Sequence, residues 1–365
     1  MKKIVGTIAA IALAASSAFA GANFGMGFNR GFFTPFAWDG EAKADISTSW
    51  GNAPRIGASF SAASEDVGVV ADVKFDGGNV AVNDNAYIWV KPASWLKLNI
   101  GQSFDDTLRG NACFGTWDWL RPGNILGEDL TFVRVCQNPL SGAYAPVQGA
   151  IVMLDPIEGL HLSVALNMPF AHTDSPYWDG YVPQTWETLA KKIQVQAGYT
   201  IPDVMQIKAQ WIGNGANGGV INAAVALKAV EGMTLDVGAF IPVEDASKTT
   251  IAAFWGMGFD AVSVNVNAQV KLAKDDTQTT DVAAGAGIGV DLGNGLSCGA
   301  DVRYSQDFQK DVNNDPAIAF AAWLDKGIAN GTLGVAVQGA LKTGIRDFAA
   351  SDFTVAVPVR VQCFF

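Results

Sequence analysis

Phe353-Thr354-Val355-Ala356-Val357-Pro358-Val359-Arg360-Val361-Gln362-Cys363-Phe364-Phe365 decides the reading of this chain. Phe353, Val355, Val357, Val359, Val361, Cys363 and Phe365 fall on one face, and Thr354, Ala356, Arg360 and Gln362 on the other. A period of two is the signature of a β-strand, whose side chains point alternately to opposite faces. The pattern recurs in Val262, Val264, Val266, Ala268 and Val270 against Ser263, Asn265, Asn267, Gln269 and Lys271. It recurs again in Ile193, Val195, Ala197 and Tyr199 against Lys192, Gln194, Gln196 and Gly198.

Working outward, the 365 residues are 49% apolar and only 16% charged, with 40 Gly, 11 Trp and 2 His. Soluble domains carry roughly 25% charged residues, so composition argues against an ordinary soluble enzyme. The formal net charge of −11 and the lack of any Lys/Arg run exclude nucleic acid as a main partner, because phosphate binding needs a basic footprint. Residues 1–20 read as a secretory signal peptide: Lys2 and Lys3, an apolar run from Ile4 to Ala15, then Ala18-Phe19-Ala20, the small-x-small end a signal peptidase cuts. Cleavage is expected before Gly21. Losing two lysines from 24 bases against 35 acids takes the net charge to −13.

Beyond Gly21 no apolar stretch reaches the roughly 20 residues of a membrane helix. The alternating segments instead carry an almost uninterrupted aliphatic face, opposite Lys, Asn, Gln, Asp and Gly. They also run longer than the five or six residues of a typical soluble strand, approaching the roughly 9–11 of a tilted membrane strand. Together with secretion, this predicts an all-β fold, a transmembrane antiparallel β-barrel occupying residues 21–365. Short turns are expected at 61–66, 91–95, 155–159, 201–203, 229–232, 259–261, 292–295 and 325–330, most rich in Pro, Gly, Asn or Asp. Longer connections at 104–143, 169–190, 271–280 and 306–316 give the short-turn, long-loop asymmetry of such barrels. Eight turns join sixteen strands, and a first strand near 41–50 and a last near 352–365 make eighteen. Sixteen remains open, because 79–91 alternates poorly and 21–40 is itself a possible strand.

The terminal segment, with Phe365 closing a run of alternating apolar residues, resembles the outer-membrane porins. The resemblance implies a passive diffusion channel for small hydrophilic solutes, no cofactor, and Phe365 as the signal read by the barrel assembly machinery. It implies outer-membrane lipid as surroundings and leaves a homotrimer open. A non-conducting barrel serving as adhesin or envelope protein is the alternative. Pro358 departs from the pattern, since it cannot donate to a strand ladder, and a bulge or weakened edge is expected there.

The long loop, 104–143, follows the fifth expected strand, where porins fold a loop into the barrel. It carries Asp105, Asp106, Asp118, Glu128 and Asp129 with Arg109, Arg121 and Arg134. Opposed acids and guanidinium groups on an inward loop would set a transverse field that orients polar solutes. Cys113 and Cys136 lie in the same loop, and the oxidising compartment predicts a disulfide between them, stabilising by about 3 kcal/mol in the chain-entropy treatment. Cys298 and Cys363 fall on the apolar face.

His161, Ser163 and Asn167 share one face of 160–168, and a His-x-Ser pair resembles outer-membrane phospholipases. Those enzymes turn the pair toward lipid, and here Leu160, Leu162, Val164, Leu166 and Met168 hold that side. Cysteine and histidine spacing offers no metal site. Gly285, Gly287 and Gly289 lack the strand–turn–helix context of a nucleotide loop and read as small wall residues. Trp50, Trp211 and Trp255 are expected toward lipid, Trp95 and Trp323 toward the lumen. Bases outnumber acids ten to five among expected wall positions: Lys43, Arg55, Lys74, Lys97, Lys192, Lys208, Lys228, Lys271, Arg303 and Arg360 against Asp45, Asp72, Asp236, Asp291 and Asp301. A weak anion preference follows, with Lys74, Lys208 and Arg303 as the main contributors.

Overall fold

In the computed structural model the described residues are 23–26, 29–38, 41–45, 56–76, 79–108, 147–167, 185–308, 316–342 and 353–363. The signal peptide, Trp50, Arg55, Phe365 and residues 109–146, with Arg109, Cys113, Asp118, Arg121, Glu128, Asp129, Arg134 and Cys136, lie outside them. Twenty segments form one antiparallel sheet. They are β1 (Asn23–Met26), β2 (Asn29–Trp38), β3 (Ala42–Asp45), β4 (Ile56–Ala63), β5 (Val67–Asp76), β6 (Asn79–Ala93), β7 (Leu96–Ser103), β8 (Val147–Ile157), β9 (Leu160–Asn167) and β10 (Gln194–Ile201). There follow β11 (Met205–Gly213), β12 (Gly219–Leu227), β13 (Met233–Val243), β14 (Thr249–Phe259), β15 (Val262–Leu272), β16 (Thr280–Gly293), β17 (Leu296–Phe308), β18 (Ala317–Ile328), β19 (Gly331–Lys342) and β20 (Phe353–Cys363). A short helix, α1 (Trp186–Lys191), is capped by Thr185. No described helix is long and apolar enough to cross a membrane.

From β4 to β20 each segment pairs with its neighbour in sequence, and the two edges meet in the N-terminal segment. There β1 pairs with β4, while β2 pairs with β20 on one side and β3 on the other. Only residues 27 and 28, outside the described ones, separate β1 from β2, so the N-terminal segment pairs with both edges of the sheet. Counting β1 with β2 and β3 with β4, whose linking residues 27–28 and 46–55 lie outside the described ones, the twenty described segments give eighteen strands. The expected strand near 41–50 is therefore not the first. It falls where β3 pairs with the segment 23–38, and that segment supplies the remaining strand.

All eight expected short turns are turns, several of only two residues. Asn294 and Gly295, at φ 54 and 70, form the left-handed pair that matches the twist of a tight hairpin, and Asp203, Asp260 and Asn330 adopt the same region. Against β5, β6 carries two extra residues between the partners of Ala71 and Val73, a slip that keeps its side chains on their faces. Pro358 behaves as expected. The β19–β20 ladder skips the positions beside it, and β2 shifts register between Phe33 and Phe36, placing Thr34 and Pro35 against it as a bulge.

Burial is inverted relative to a soluble protein. Ile207, Ile221, Ile251, Val302 and Val361 are 38–51% exposed, whereas Lys208, Asn222, Asp236, Asp301 and Gln338 are 0–5% exposed. A ring of exposed aliphatic side chains around a polar interior is stable only where the outside is hydrocarbon and the closed ladder satisfies the backbone.

Candidate functional site: the inner wall

The inner face has two parts that differ in exposure. On β4–β6 and at the start of β7, Ser59, Asp72, Lys74, Asn85, Tyr87, Trp89 and Lys97 are all partly exposed, while farther along β7 Asn99 and Ser103 are 1% exposed. On β8–β20 the middle of the wall is covered: Ile151, Ser163, Gln196, Lys208, Asp236, Asn267, Asp301, Arg303 and Arg360 are each at most 8% exposed. Among the wall positions expected from sequence, Lys74, Lys97, Lys208, Asp236, Asp301 and Arg303 fall on the inner face. Of these six, Lys74 and Lys97 belong to its open part. Two other expected wall bases do not: Lys228 lies in the β12–β13 turn, and Lys192 caps the end of α1.

In the open part Trp89 lies over Gly68, where an added Cβ would sit 2.6 Å from the indole. The ammonium groups of Lys91 and Lys97 stand 5.6 and 5.5 Å from the Trp89 ring centroid, within cation–π range. Neighbouring Asp72 accepts 2.6 Å hydrogen bonds from Ser59 and from the Asn85 amide. Sequence reading missed Trp89, because Tyr87-Ile88-Trp89-Val90 is apolar on both faces and breaks the polar–apolar alternation. Trp95, expected on the wall, sits in the β6–β7 turn, while Trp323 does face inward.

Packing in the covered part depends on glycine. Gly285, Gly287 and Gly289 alternate along the inner face of β16, and side chains from both neighbouring strands lie over them. A Cβ on Gly287 would collide with the Asp301 carboxylate from β17 and come within 2.8 Å of the Asn265 amide from β15. One on Gly289 would meet Ser263 Oγ at 2.7 Å. Gly334 plays a comparable part on β19. It pairs with Asp325 on one side and Arg360 on the other, and the two side chains meet across it at 2.7 Å, 14% and 8% exposed.

The start of the long loop lies against this wall. Asp105, 5% exposed, accepts from His161 Nε2 at 2.8 Å and from the Gln196 amide at 2.5 Å. His161 Nδ1 is 2.8 Å from Asp155 Oδ1. Burial alone would raise the Asp105 pKa, but bonds and charge from His161, with hydrogen bonds from Thr107 and Ser163, hold it well below the usual carboxylate range. Asp106 is exposed. With both imidazole nitrogens engaged by carboxylates, neither is placed to take a proton from Ser163, so the His-x-Ser pair lacks the geometry of an activated nucleophile. Among the described residues no cluster of His, Cys, Asp and Glu is arranged to hold a metal.

Outside the lumen the longer loops are tied together. Asp245 accepts from Asn214 at 3.0 Å and Ser247 at 2.5 Å, which keeps its pKa low, and Lys248 pairs with Asp281 at 2.8 Å.

No protein-family model matches the chain, and no curated protein matches it. Solved structures do. OccAB4 of Acinetobacter baumannii shares 8% identity at a TM-score of 0.59, covering 95% of this chain and 99% of that one. OccK11 (OpdR) of Pseudomonas aeruginosa shares 9% at 0.57, with 94% and 96% covered. An anion-selective porin from Comamonas acidovorans shares 9% at 0.53, with 94% and 99% covered. Likeness at such identity speaks for architecture, and it agrees with the pairing and the inverted burial: the chain has the β-barrel fold of the outer-membrane porins.

Proposed function

We propose that this barrel sits in a bacterial outer membrane and acts as a passive diffusion channel for small hydrophilic solutes, with no catalytic cycle. The observation that carries the reading is the inverted wall, apolar outside and polar inside, with one inner strip, on β4–β6 and around Lys97 of β7, partly open. Barrels of sixteen to eighteen strands have room for an aqueous passage. The long loop continues from a buried segment at Asp105, which favours reading its remaining charges, Arg109 to Arg134, as lumen residues and Cys113–Cys136 as a disulfide that stiffens them. Peptide mapping without reductant is expected to recover the two cysteines joined. Wall bases in the open strip favour anions weakly, and the Comamonas porin of the same fold is anion-selective.

A second reading is a non-conducting envelope barrel, and it is favoured by the covered inner face of β8–β20. Proteoliposome swelling separates the two. The channel reading expects vesicles to swell in small neutral sugars at rates that fall with solute size. Vesicles that stay as tight as protein-free ones would favour the sealed barrel.

A further inference from the structure

We propose that His161 is a positioning residue of this channel: held by Asp155, it fastens Asp105 and the segment 104–108 across the inner faces of β9 and β10. The proposal rests on the channel reading above. The chain leaves β7 at Ser103, and within two residues Asp105 is bonded to two other strands, through His161 on β9 and Gln196 on β10. The Gln196 amide also reaches the Asp105 carbonyl at 3.4 Å. Thr107 closes the turn, its N–H and hydroxyl donating to Asp105 Oδ1 at 3.1 and 2.7 Å. Leu108, 3% exposed, seats against Gly198 of β10, occupying space that a Cβ there would need.

The two carboxylates on His161 have different surroundings. Asp105 has 3% of its side chain exposed and Asp155 has 60%. The bond at one imidazole nitrogen fixes the ring and what the other presents, so Asp155 orients and Asp105 is the group that is held. A short segment lying in front of two wall strands sets the lumen's width there. Fastened, it gives a steady passage; released, it moves through the solute path.

Hydrogen exchange of the folded barrel, together with single-channel recording, tests this. His161→Asn is expected to speed exchange of the amides of 104–108 about tenfold, the effect of losing one charge-assisted bond, and to turn steady openings into flicker. His161→Leu is the severe variant, with slow exchange in β12–β15 reporting that the barrel has folded. Unchanged exchange at 104–108 in a folded His161→Leu barrel overturns the fastening. Faster exchange with openings as steady as wild type overturns its part in conduction. A wild-type barrel that passes no current counts against the channel reading, while exchange still judges the fastening by itself.

Discussion

The inner wall of β4–β7 and that of β8–β20 are built from the same alternation of polar and apolar residues, yet one is partly open and the other covered. In the open strip, charged and aromatic side chains lie along the wall, as Lys91 and Lys97 do over Trp89. In the covered wall they lie across it, filling the gaps above Gly287 and Gly334. Alternation determines which way a side chain points. What happens after it points inward depends on the neighbouring strands, two residues away in space and tens away in sequence.

The largest expected effect is at the Arg360–Asp325 pair in the covered wall. Arg360→Met would leave a mostly buried carboxylate without its guanidinium, at a cost of about 3 kcal/mol, read as a lower urea midpoint with the slope unchanged. A negligible shift would mean that water reaches this wall and that the contrast is false. Overpacking sharpens the same comparison. Gly287→Val should destabilise by about 1–3 kcal/mol, because Asp301 and Asn265 are hemmed in, whereas Gly68→Val should cost less, because the Trp89 ring can swing into open space. Equal costs would break the distinction.

Conduction should follow the open strip. Lys97→Met and Lys74→Met are each expected to move the reversal potential in a salt gradient toward cations, and Lys208→Met to move it less. Charges that line the path act within a screening length of about 8 Å, whereas the Lys208 side chain is covered. This differs from the expectation drawn from sequence, which weighted Lys208 and Arg303 by their place in mid-strand.

Much of the fold was legible in the residues, and for reasons that can be named. The short turns carry Asn, Asp and Gly because left-handed backbone requires them, and Pro358 announced its bulge because it lacks an N–H. The inner polar face was readable wherever the register is regular, as on β15. It was unreadable at Trp89, where Tyr87-Ile88-Trp89-Val90 is apolar on both faces, and at the N-terminus, where one segment serves two partners. The fastening of Asp105 was invisible because His161 and Gln196 lie 56 and 91 positions away in sequence. A His between acids becomes meaningful only once three strands are side by side.

The smallest expected effect is the pH dependence of that contact. The Asp105 pKa is depressed in the fold, so its contribution to stability is complete above the unfolded value, about 3.9, and is lost as pH falls toward the lower folded value. The urea midpoint is therefore expected to gain nothing from Asp105 between pH 7 and about 5 and to decline below the unfolded value. Asp105→Asn should flatten part of that acid decline, and a decline identical to wild type would remove Asp105 as its source.

The central claim, that the polar interior conducts, is tested most directly by recording from planar bilayers that contain the folded, detergent-purified barrel. Stepwise insertions of uniform, ohmic conductance, with a reversal potential displaced weakly toward anions in a salt gradient, are the predicted result. Bilayers that stay silent while the same preparation is shown to be folded and inserted would contradict it.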